Sequence, residues 1–427
     1  MKTKHLFEII TLSLFLFTLM PVSGSAQVAN STLNLDELIQ KVLARNPQLQ
    51  YSYEDWKASN TRISQQKALP DPTLGLNMMN LPINSFALDQ EPMTGKQLSL
   101  MQAFPFPGIL NLKGKIAESD SKINRYRHRE LKNQLIKQTK QAYYDLYYID
   151  QALRTVTENQ ELLRKFVEIA ETRYGVGKGL QQDVLRAQVT LSKMLDRELK
   201  LQQKRTATQA KINILINIPA DAPLGIPTAP PMSTLSTTLR ELTQRADSTN
   251  PMLAAWETTV EKSDQQIDLA HKNRYPDFSV GIAYTQRDDL QSGMKGYDFV
   301  SAMVNLKLPL FHKKKQAQKV QEKRITKSAI EYRYQNITNT VEQKLQQSLS
   351  NLNKSRRLIE LYKTGIIPQA EESLESSLAG YQNNKVDFLS LLDSELTLFQ
   401  YQLDYHRFLA DYHKTVAELE ALIGTGL

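Results

Sequence analysis

The chain has 427 residues, of which 41% are hydrophobic and 23% charged, with a mean hydropathy of -0.43 and a net charge of +8. Its length, about three times a typical domain of ~150 residues, predicts several units or one elongated unit, and its composition excludes a collagen, a low-complexity linker and a polytopic helical membrane protein. The absence of cysteine excludes disulfide scaffolds, thiolate metal sites and a lipidated N-terminal cysteine. Because the positive charge forms no basic block, no nucleic-acid partner is expected.

Residues 1–26 have the pattern of a secretory signal peptide. A positively charged start precedes an apolar stretch, and small residues follow up to Ala26. The apolar core is too short to cross a ~30 Å hydrocarbon layer permanently, although an uncleaved anchor is the alternative. We therefore expect export across the inner membrane of a bacterium and a mature chain that begins at Gln27.

The rest of the chain contains an internal repeat. Short matches recur in the same order at offsets of 204 to 207 residues, and one of them pairs Asn46-Pro47 with Asn250-Pro251. A proline-rich segment, typical of a linker, separates the two copies. This divides the mature chain into a first repeat of residues 27–217, a linker of residues 218–235 and a second repeat of residues 236–427.

Each repeat begins with the pattern of a helix followed by two strands. The first helix is predicted over about residues 35–69, with Asn34 or Asp36 as its cap, and its counterpart over about residues 239–273. Alternation of apolar and other residues then predicts a pair of strands in each copy. The apolar positions predicted to share a face include Leu74, Leu76 and Met78 in the first copy, and Val280, Ile282, Tyr284, Val300, Val304 and Leu306 in the second.

A heptad pattern of apolar residues then predicts a very long helix over about residues 110–174. At ~1.5 Å per residue its length would be on the order of 95 Å. It ends at a glycine cluster, after which a returning helix resumes the pattern. In the second copy Pro368 lies within the helical segment, where it removes a backbone hydrogen bond and predicts a bend. We expect this bend to curve the second helix pair inward towards its tip.

The predicted strands have a length that suits a tilted membrane-spanning strand of ~9 to 11 residues. Four such strands cannot close a barrel and would leave open edges in lipid, so membrane insertion would require oligomerisation. The alternative is a soluble four-stranded sheet packed on helices, as in a periplasmic coiled-coil adaptor or scaffold. Exposure of the strands to lipid distinguishes the two.

These segments resemble the TolC-like outer membrane efflux proteins over essentially the whole mature sequence. The most specific segments are residues 367–374, 380–381 and 385–393, which together with 69–74 and 104–108 are similar to the heavy-metal branch of the CzcC and CusC type. The resemblance implies a mainly α fold with a small β part. In it, long helical hairpins form an α-barrel, and four β-strands per protomer contribute to a trimeric, twelve-stranded outer membrane β-barrel.

The resemblance implies a passive duct in the outer membrane of a Gram-negative bacterium, with most of the chain in the periplasm and no enzymatic activity. The implied partners are two further copies in a homotrimer, a periplasmic adaptor (membrane fusion) protein, an inner membrane RND-type pump and outer membrane lipid. Heavy-metal cations are the implied cargo of the tripartite efflux system, and drugs or type I secreted proteins are the alternatives. No cofactor is implied.

The same resemblance assigns adaptor docking to the helix-tip turns and a periplasmic gate to nearby carboxylates. Asp183 and Asp393 match gate positions of the family, and Asp387, nearer the turn, is a third candidate. Threefold symmetry would make each a ring that attracts cations, whereas the alternative is a helix cap or a solvated charge. The predicted tip-turn residues are Gly175, Gly177, Lys178, Gly179, Gln382, Asn383, Asn384 and Lys385.

Other chemistry has little support in the sequence. The six histidines lack the spacing of a zinc site on one helix face, so no metal site is predicted, and His406 and His413 are interpreted as solvated or packing residues. Met78 and Met79 could contact a soft metal, but an apolar strand position explains them better. No phosphate-binding loop or nucleophile motif indicates an enzyme.

Overall fold

The computed structural model describes residues 32–228, 232 and 237–426. The predicted signal peptide lies outside the described residues. Each half of the chain has the same order of larger elements, namely two helices, two strands and an antiparallel pair of long helices. Among the residues described, no helix is both long and apolar enough to cross a membrane.

The elements of the two halves are as follows. The first half contains β1 (Thr32–Leu33), α1 (Leu35–Arg45), α2 (Pro47–Lys67), β2 (Thr73–Met79), β3 (Gly95–Phe104), α3 (Ile109–Gly175) and α4 (Gln181–Leu215). The second half contains β4 (Ile226–Pro227), α5 (Leu239–Thr249), α6 (Pro251–Lys272), β5 (Asp277–Gln286), β6 (Phe299–Lys307), α7 (Gln316–Leu361), a π-helical turn (Tyr362–Ile366), α8 (Ile367–Gln382) and α9 (Phe388–Ile423). With 67 residues, α3 is roughly 100 Å long.

Each half begins with two helices where the sequence analysis predicted one. The prediction of a continuous helix over residues 35–69, and of its counterpart in the second half, is wrong because the chain leaves the helix at Asn46 and again at Asn250. Asn46 has an extended backbone, with ψ of 119°, and its side chain caps the new helix that Pro47 starts. Asn250 and Pro251 repeat this geometry.

The same asparagines also anchor the far ends of the returning helices. The Asn46 side-chain amide donates to the carbonyl oxygen of Leu215 at 3.0 Å, and that of Asn250 donates to Leu422 at 2.7 Å. Both asparagines are buried, and the helix-end carbonyls they satisfy lack partners within their own helices. The recurrent Asn-Pro pair therefore both breaks a helix and fastens the end of another.

The four longer strands form one antiparallel sheet in the order β2-β3-β5-β6. The two halves meet where β3 pairs with β5, and β2 and β6 have no further strand partner among the described residues. Leu74, Leu100, Ile282 and Ala302 lie in register across the sheet, which confirms the predicted faces. The exposed apolar side chains on this face include Leu74, Leu76, Leu98, Leu100, Val280, Ile282, Tyr284, Val300, Val304 and Leu306.

The opposite face of the sheet carries mostly small or polar side chains, with Met101, Met303 and Phe299 as larger apolar ones. It includes Gly75, Asn77, Ser99, Ser279, Gly281, Ser301 and Asn305. In a water-soluble antiparallel sheet the apolar face packs on the core and the polar face contacts solvent. Here the apolar side chains are exposed instead, which is the reverse of that arrangement.

The long helices pack along the predicted heptad positions. Leu146, Val156 and Leu163 on α3 are fully buried, and one apolar cluster joins α3, α4, α8 and α9. Tyr174, also predicted to lie in this seam, is 50% exposed. It lies in the last turn of α3, at the tip of the hairpin.

Two histidines of α9 pack against aromatic rings of α3. His413 is 7% exposed and stacks on Tyr144 with ring centroids 4.9 Å apart, and burial, reinforced by Lys140, lowers the pKa of His413 to about 4. His406 meets the edge of the Tyr147 ring. Of the two interpretations, solvated or packing, these ring contacts favour packing for both residues.

Candidate functional site

The site candidates lie at the tips of the two long helical hairpins, where α3 turns into α4 and α8 turns into α9. In the first turn the backbone N–H of Lys178 donates to the carbonyl of Arg173, and Gly177 has a positive φ of 71°. In the second turn Lys385 donates in the same way to Gly380, and Asn384 has a φ of 58°. Glycine and asparagine are the residues that tolerate this left-handed conformation, so both tips use the same turn.

Arg173 ties the two tips together. Its Nη1 donates to the carbonyl oxygen of Tyr381 at 2.6 Å, and its Nη2 donates to Oδ1 of Asn384. The guanidinium lies 4.5 Å from the centroid of the Tyr381 ring. Tyr381 itself is buried against Phe388. One cation therefore holds the end of α3 against the turn of the second hairpin.

The three candidate gate carboxylates have different surroundings. Asp387 is exposed and accepts the backbone N–H of Ser390 at 2.7 Å, so it caps α9, and this hydrogen bond lowers the pKa of its carboxyl. Asp183 is half-buried in the first turn of α4. Burial raises the pKa of Tyr381, and the nearby carboxylate of Asp183 raises it further. Asp393 is exposed on α9. Asp183 and Asp387 both line one groove, and Asp393 is not among its lining residues.

The groove between the tips is mostly basic. Arg173, Lys178, Arg186 and Lys385 line it together with the two aspartates. Arg186 is near enough to contribute to the lowered pKa of Asp387. The groove therefore has positive side chains that a partner of opposite charge could contact.

Sequence reasoning missed Arg173 and Arg186 as tip residues. A cation in the last turn of a helix is common because it interacts favourably with the helix dipole, so the sequence alone did not mark Arg173. Arg186 lies one turn into α4 and gains its position only through the contact between hairpins. Both roles depend on the packing of one half of the chain against the other.

A buried polar pair lies in the apolar cluster above the tips. Glu395 on α9 is 3% exposed and accepts a hydrogen bond from the side-chain amide of Asn159 on α3. Oε2 of Glu395 and Oδ1 of Asn159 have no hydrogen-bond partner among the described residues. Burial raises the pKa of Glu395 to about 7, because removing water penalises the charged carboxylate.

A π-helical turn immediately precedes Pro368. It covers Tyr362–Ile366, and the backbone N–H of Ile367 bonds to the carbonyl of Tyr362, five residues earlier. A π turn adds one residue to a helix and is a known cause of kinks, as is proline. The predicted inward bend at Pro368 stays a prediction, and the angle between the axes of α7 and α8 tests it.

The sequence model of the family described as outer membrane efflux protein matches residues 38–217 and 242–425. The chain belongs to this family. The resemblance read from its repeats is thereby confirmed.

Two curated proteins show partial similarity. The chain is 20% identical over 286 residues to the cobalt-zinc-cadmium resistance protein CzcC of Cupriavidus metallidurans, which covers 66% of each chain. It is 25% identical over 174 residues to protein CyaE of Bordetella pertussis, which covers 40% of this chain and 37% of that protein. The matched stretches thus span just under two thirds and just over one third of these relatives.

Solved structures share the fold over most of the chain. The crystal structure of CusC aligns with a TM-score of 0.78 and 15% identity, covering 96% of both chains. VceC of Vibrio cholerae aligns with a TM-score of 0.76 and 17% identity, covering 92% of this chain and 96% of that one. The predicted fold class, mainly α with a small β part, is confirmed.

Proposed function

We propose that this protein is the outer membrane duct of a tripartite efflux system and that it exports heavy-metal cations. The observation that carries the proposal is the sheet, which exposes a continuous apolar face and leaves the outer edges of β2 and β6 without a strand partner among the described residues. Open edges are costly in lipid because their backbone groups lack partners. Pairing β6 of one copy with β2 of the next removes them.

Three copies arranged in this way form a closed barrel of twelve strands, with the small and polar face towards the lumen. The helical hairpins then extend on one side of the membrane into the periplasm. In this arrangement the division into repeats of residues 27–217 and 236–427 has a simple purpose, because each repeat supplies one strand pair and one hairpin. The linker, residues 218–235, connects them and includes β4, which pairs with β1.

The turns at the tips of the helical hairpins support the proposed partner proteins. The basic groove between the hairpin turns lies at the end of α3 that is far from the sheet. We assign this surface to a periplasmic adaptor, which would join the duct to an inner membrane RND-type pump. The cation cargo is supported by the name of one relative, a cobalt-zinc-cadmium resistance protein. Drugs or type I secreted proteins are the alternative cargoes.

Loss of the protein is expected to lower resistance to cobalt, zinc or cadmium in a cell that keeps the pump and adaptor. The measurement compares minimal inhibitory concentrations in the deletion strain, the parent and the complemented strain. A matched panel of organic drugs is the control for cargo. Unchanged metal resistance with increased drug sensitivity would overturn the metal assignment and support the drug alternative.

We propose that Asp183 and Asp393 form rings of carboxylates near the periplasmic end of the duct. The double variant Asp183→Asn/Asp393→Asn is expected to weaken block by multivalent cations by about tenfold, since a cleft lined by one sign of charge raises the local counter-ion concentration ~10-fold or more. Planar-bilayer conductance measures this block and the cation selectivity.

The matched control for this experiment is Asp196→Asn, which removes an exposed carboxylate of α4 farther from the turn, paired with Lys200. It should leave the block unchanged. If the double variant also behaves like the wild type, Asp183 and Asp393 are helix-end or solvated charges, as Asp387 is in its role as the cap of α9.

A further inference from the structure

Lysines collect where the helices meet the sheet. The end of α2, the start of α3, the end of α6 and the connection from β6 to α7 all lie at this level, because each adjoins a strand of the sheet. The lysines at these four places are Lys67, Lys113, Lys115, Lys272, Lys313, Lys314 and Lys315. The junction is therefore a basic belt next to the exposed apolar face.

The connection from β6 to α7 combines charge with apolar exposure. Leu308, Leu310 and Phe311 are 59%, 77% and 78% exposed, and the run Lys313 to Lys315 follows after His312. Within residues 32–228 and 237–426, none of these three lysines has a carboxylate within 4.0 Å. Three exposed apolar side chains and three lysines without a carboxylate partner in the described residues thus lie in the same short connection.

A cavity of about 550 Å³ opens beside this connection, between it and the segment that joins α6 to β5. Its size falls in the ~300 to 1,000 Å³ range of ligand sites. Lys307 and Lys315 line one part of it, and residues 308–311 line another. The carboxylate in its wall, Asp277, already accepts the backbone N–H of Phe106 at 2.9 Å.

Lys319, also in the wall, is paired with Glu322 at 2.7 Å. In the described part of the chain neither Lys307 nor Lys315 has a carboxylate within 4.0 Å, and Asp277, opposite Lys307 across the strands, is the one anion in the wall. An ammonium group is a compact charge that suits phosphate oxygens. The wall therefore has more lysines than carboxylates, and residues 308–311 add apolar surface. This combination favours an anionic ligand with an apolar portion.

The position of the cavity identifies the source of that ligand. Leu306 and Phe278 pair at the end of the apolar face nearest the helices, and the cavity begins one residue farther along β6. This step rests on the proposed function, in which the sheet crosses the hydrocarbon layer and the helices enter the periplasm. The cavity then lies at the level of the headgroups of the periplasmic leaflet.

We propose that this cavity binds the phosphate headgroup of an anionic phospholipid of the periplasmic leaflet of the outer membrane. Lys315 contacts the phosphate and the neighbouring Lys313 and Lys314 add to the positive field, whereas Lys307 lies on the opposite strand face with Asn305 and Ser301. The acyl chains lie along residues 308–311 and the apolar face of β6. Basic pockets and polybasic segments beside membrane-spanning elements recognise anionic headgroups by this combination.

The test titrates the detergent-solubilised assembly with phosphatidylglycerol and measures bound lipid by native mass spectrometry. The variant K313Q/K314Q/K315Q is expected to weaken binding by about tenfold or more, from the contribution of each lysine near an anionic headgroup. The control K165Q/K193Q/K204Q removes the same charge from exposed lysines of the α3–α4 hairpin and should bind lipid like the wild type.

Two further arms identify the ligand. Phosphatidylcholine should bind the wild type more weakly than phosphatidylglycerol, and inorganic phosphate at the same concentration should not displace the lipid, because it lacks acyl chains. Displacement by phosphate, equal binding of both lipids, or unaltered binding in the lysine variant overturns the proposal. Outer membrane fractionation and bilayer conductance of the wild type report separately on the proposed function, so that its failure is distinguishable from failure of the lipid site.

Discussion

Ile282→Arg is expected to abolish assembly of the protein in the outer membrane. Ile282 is 58% exposed at the centre of β5, in register with Leu100 and Ala302 on the apolar face. A charge on the lipid face near the middle of the bilayer costs roughly 2–4 kcal/mol per strand position, and a trimer would contain three. Fractionation of cell membranes and the mass of the detergent-solubilised protein measure the loss.

Ser301→Arg is the matched control, since Ser301 lies on the opposite face and pairs with Ala283. It places the same charge towards the proposed lumen and should leave assembly intact. A periplasmic scaffold with a soluble sheet would tolerate Ile282→Arg, because the side chain of an isoleucine that is exposed to water contributes little to the stability of the fold. Normal assembly of the Ile282 variant would therefore contradict membrane insertion of the sheet and favour the scaffold.

Glu395→Gln is expected to remove a loss of stability that accompanies a rise in pH from about 4.5 to about 7. Burial raises the pKa of Glu395 from 4.5 to about 7, so between these values the folded protein binds a proton that the unfolded chain has released. Stability contributed by the neutral carboxyl is therefore lost as pH rises, until both states are ionised above about pH 7. From pH 6 to pH 8 the loss is about 1 kcal/mol per chain.

Glutamine keeps the shape of the side chain, cannot ionise, and offers an amide that can donate to the unpartnered Oδ1 of Asn159. At pH 8 the Gln variant should thus be the more stable, by on the order of 3 kcal/mol at most. Thermal unfolding of the solubilised protein at several pH values measures the difference. Glu372→Gln, an exposed position on α8, is the control and should retain the wild-type profile.

The pH range of the unfolding measurements matters because His413 changes stability with pH in the direction opposite to Glu395. Its pKa falls from 6.5 to about 4 on burial, so stability is lost as pH falls below about 6.5, where the unfolded histidine takes up a proton. Measurements between pH 6 and pH 8 lie largely above that range. A wild-type profile that is flat there, or that rises, would contradict the assignment of a raised pKa to Glu395.

The local elements were largely determined by the sequence. Heptad spacing along α3 specifies a helix with one apolar seam, and alternation along β5 and β6 specifies which side chains share a face, because helices and strands have fixed side-chain periods. The turn residues at the tips were likewise recognisable from glycine and asparagine. The helix breaks at Asn46 and Asn250 were readable too, since an asparagine before a proline both ends and caps a helix, and overlooking that chemistry produced the wrong prediction of one helix.

Contacts between the halves were decided only by the tertiary structure. The pairing of β3 with β5, the hydrogen bonds from Arg173 to the second tip and the burial of Glu395 against Asn159 each join residues far apart in the chain. Periodicity states which face of an element is apolar, but it does not state which element that face meets. The elements that pack against a polar side chain set its environment, and that environment sets its protonation. The sequence by itself therefore determined the helices and strands, and the tertiary structure determined the chemistry of the contacts between them.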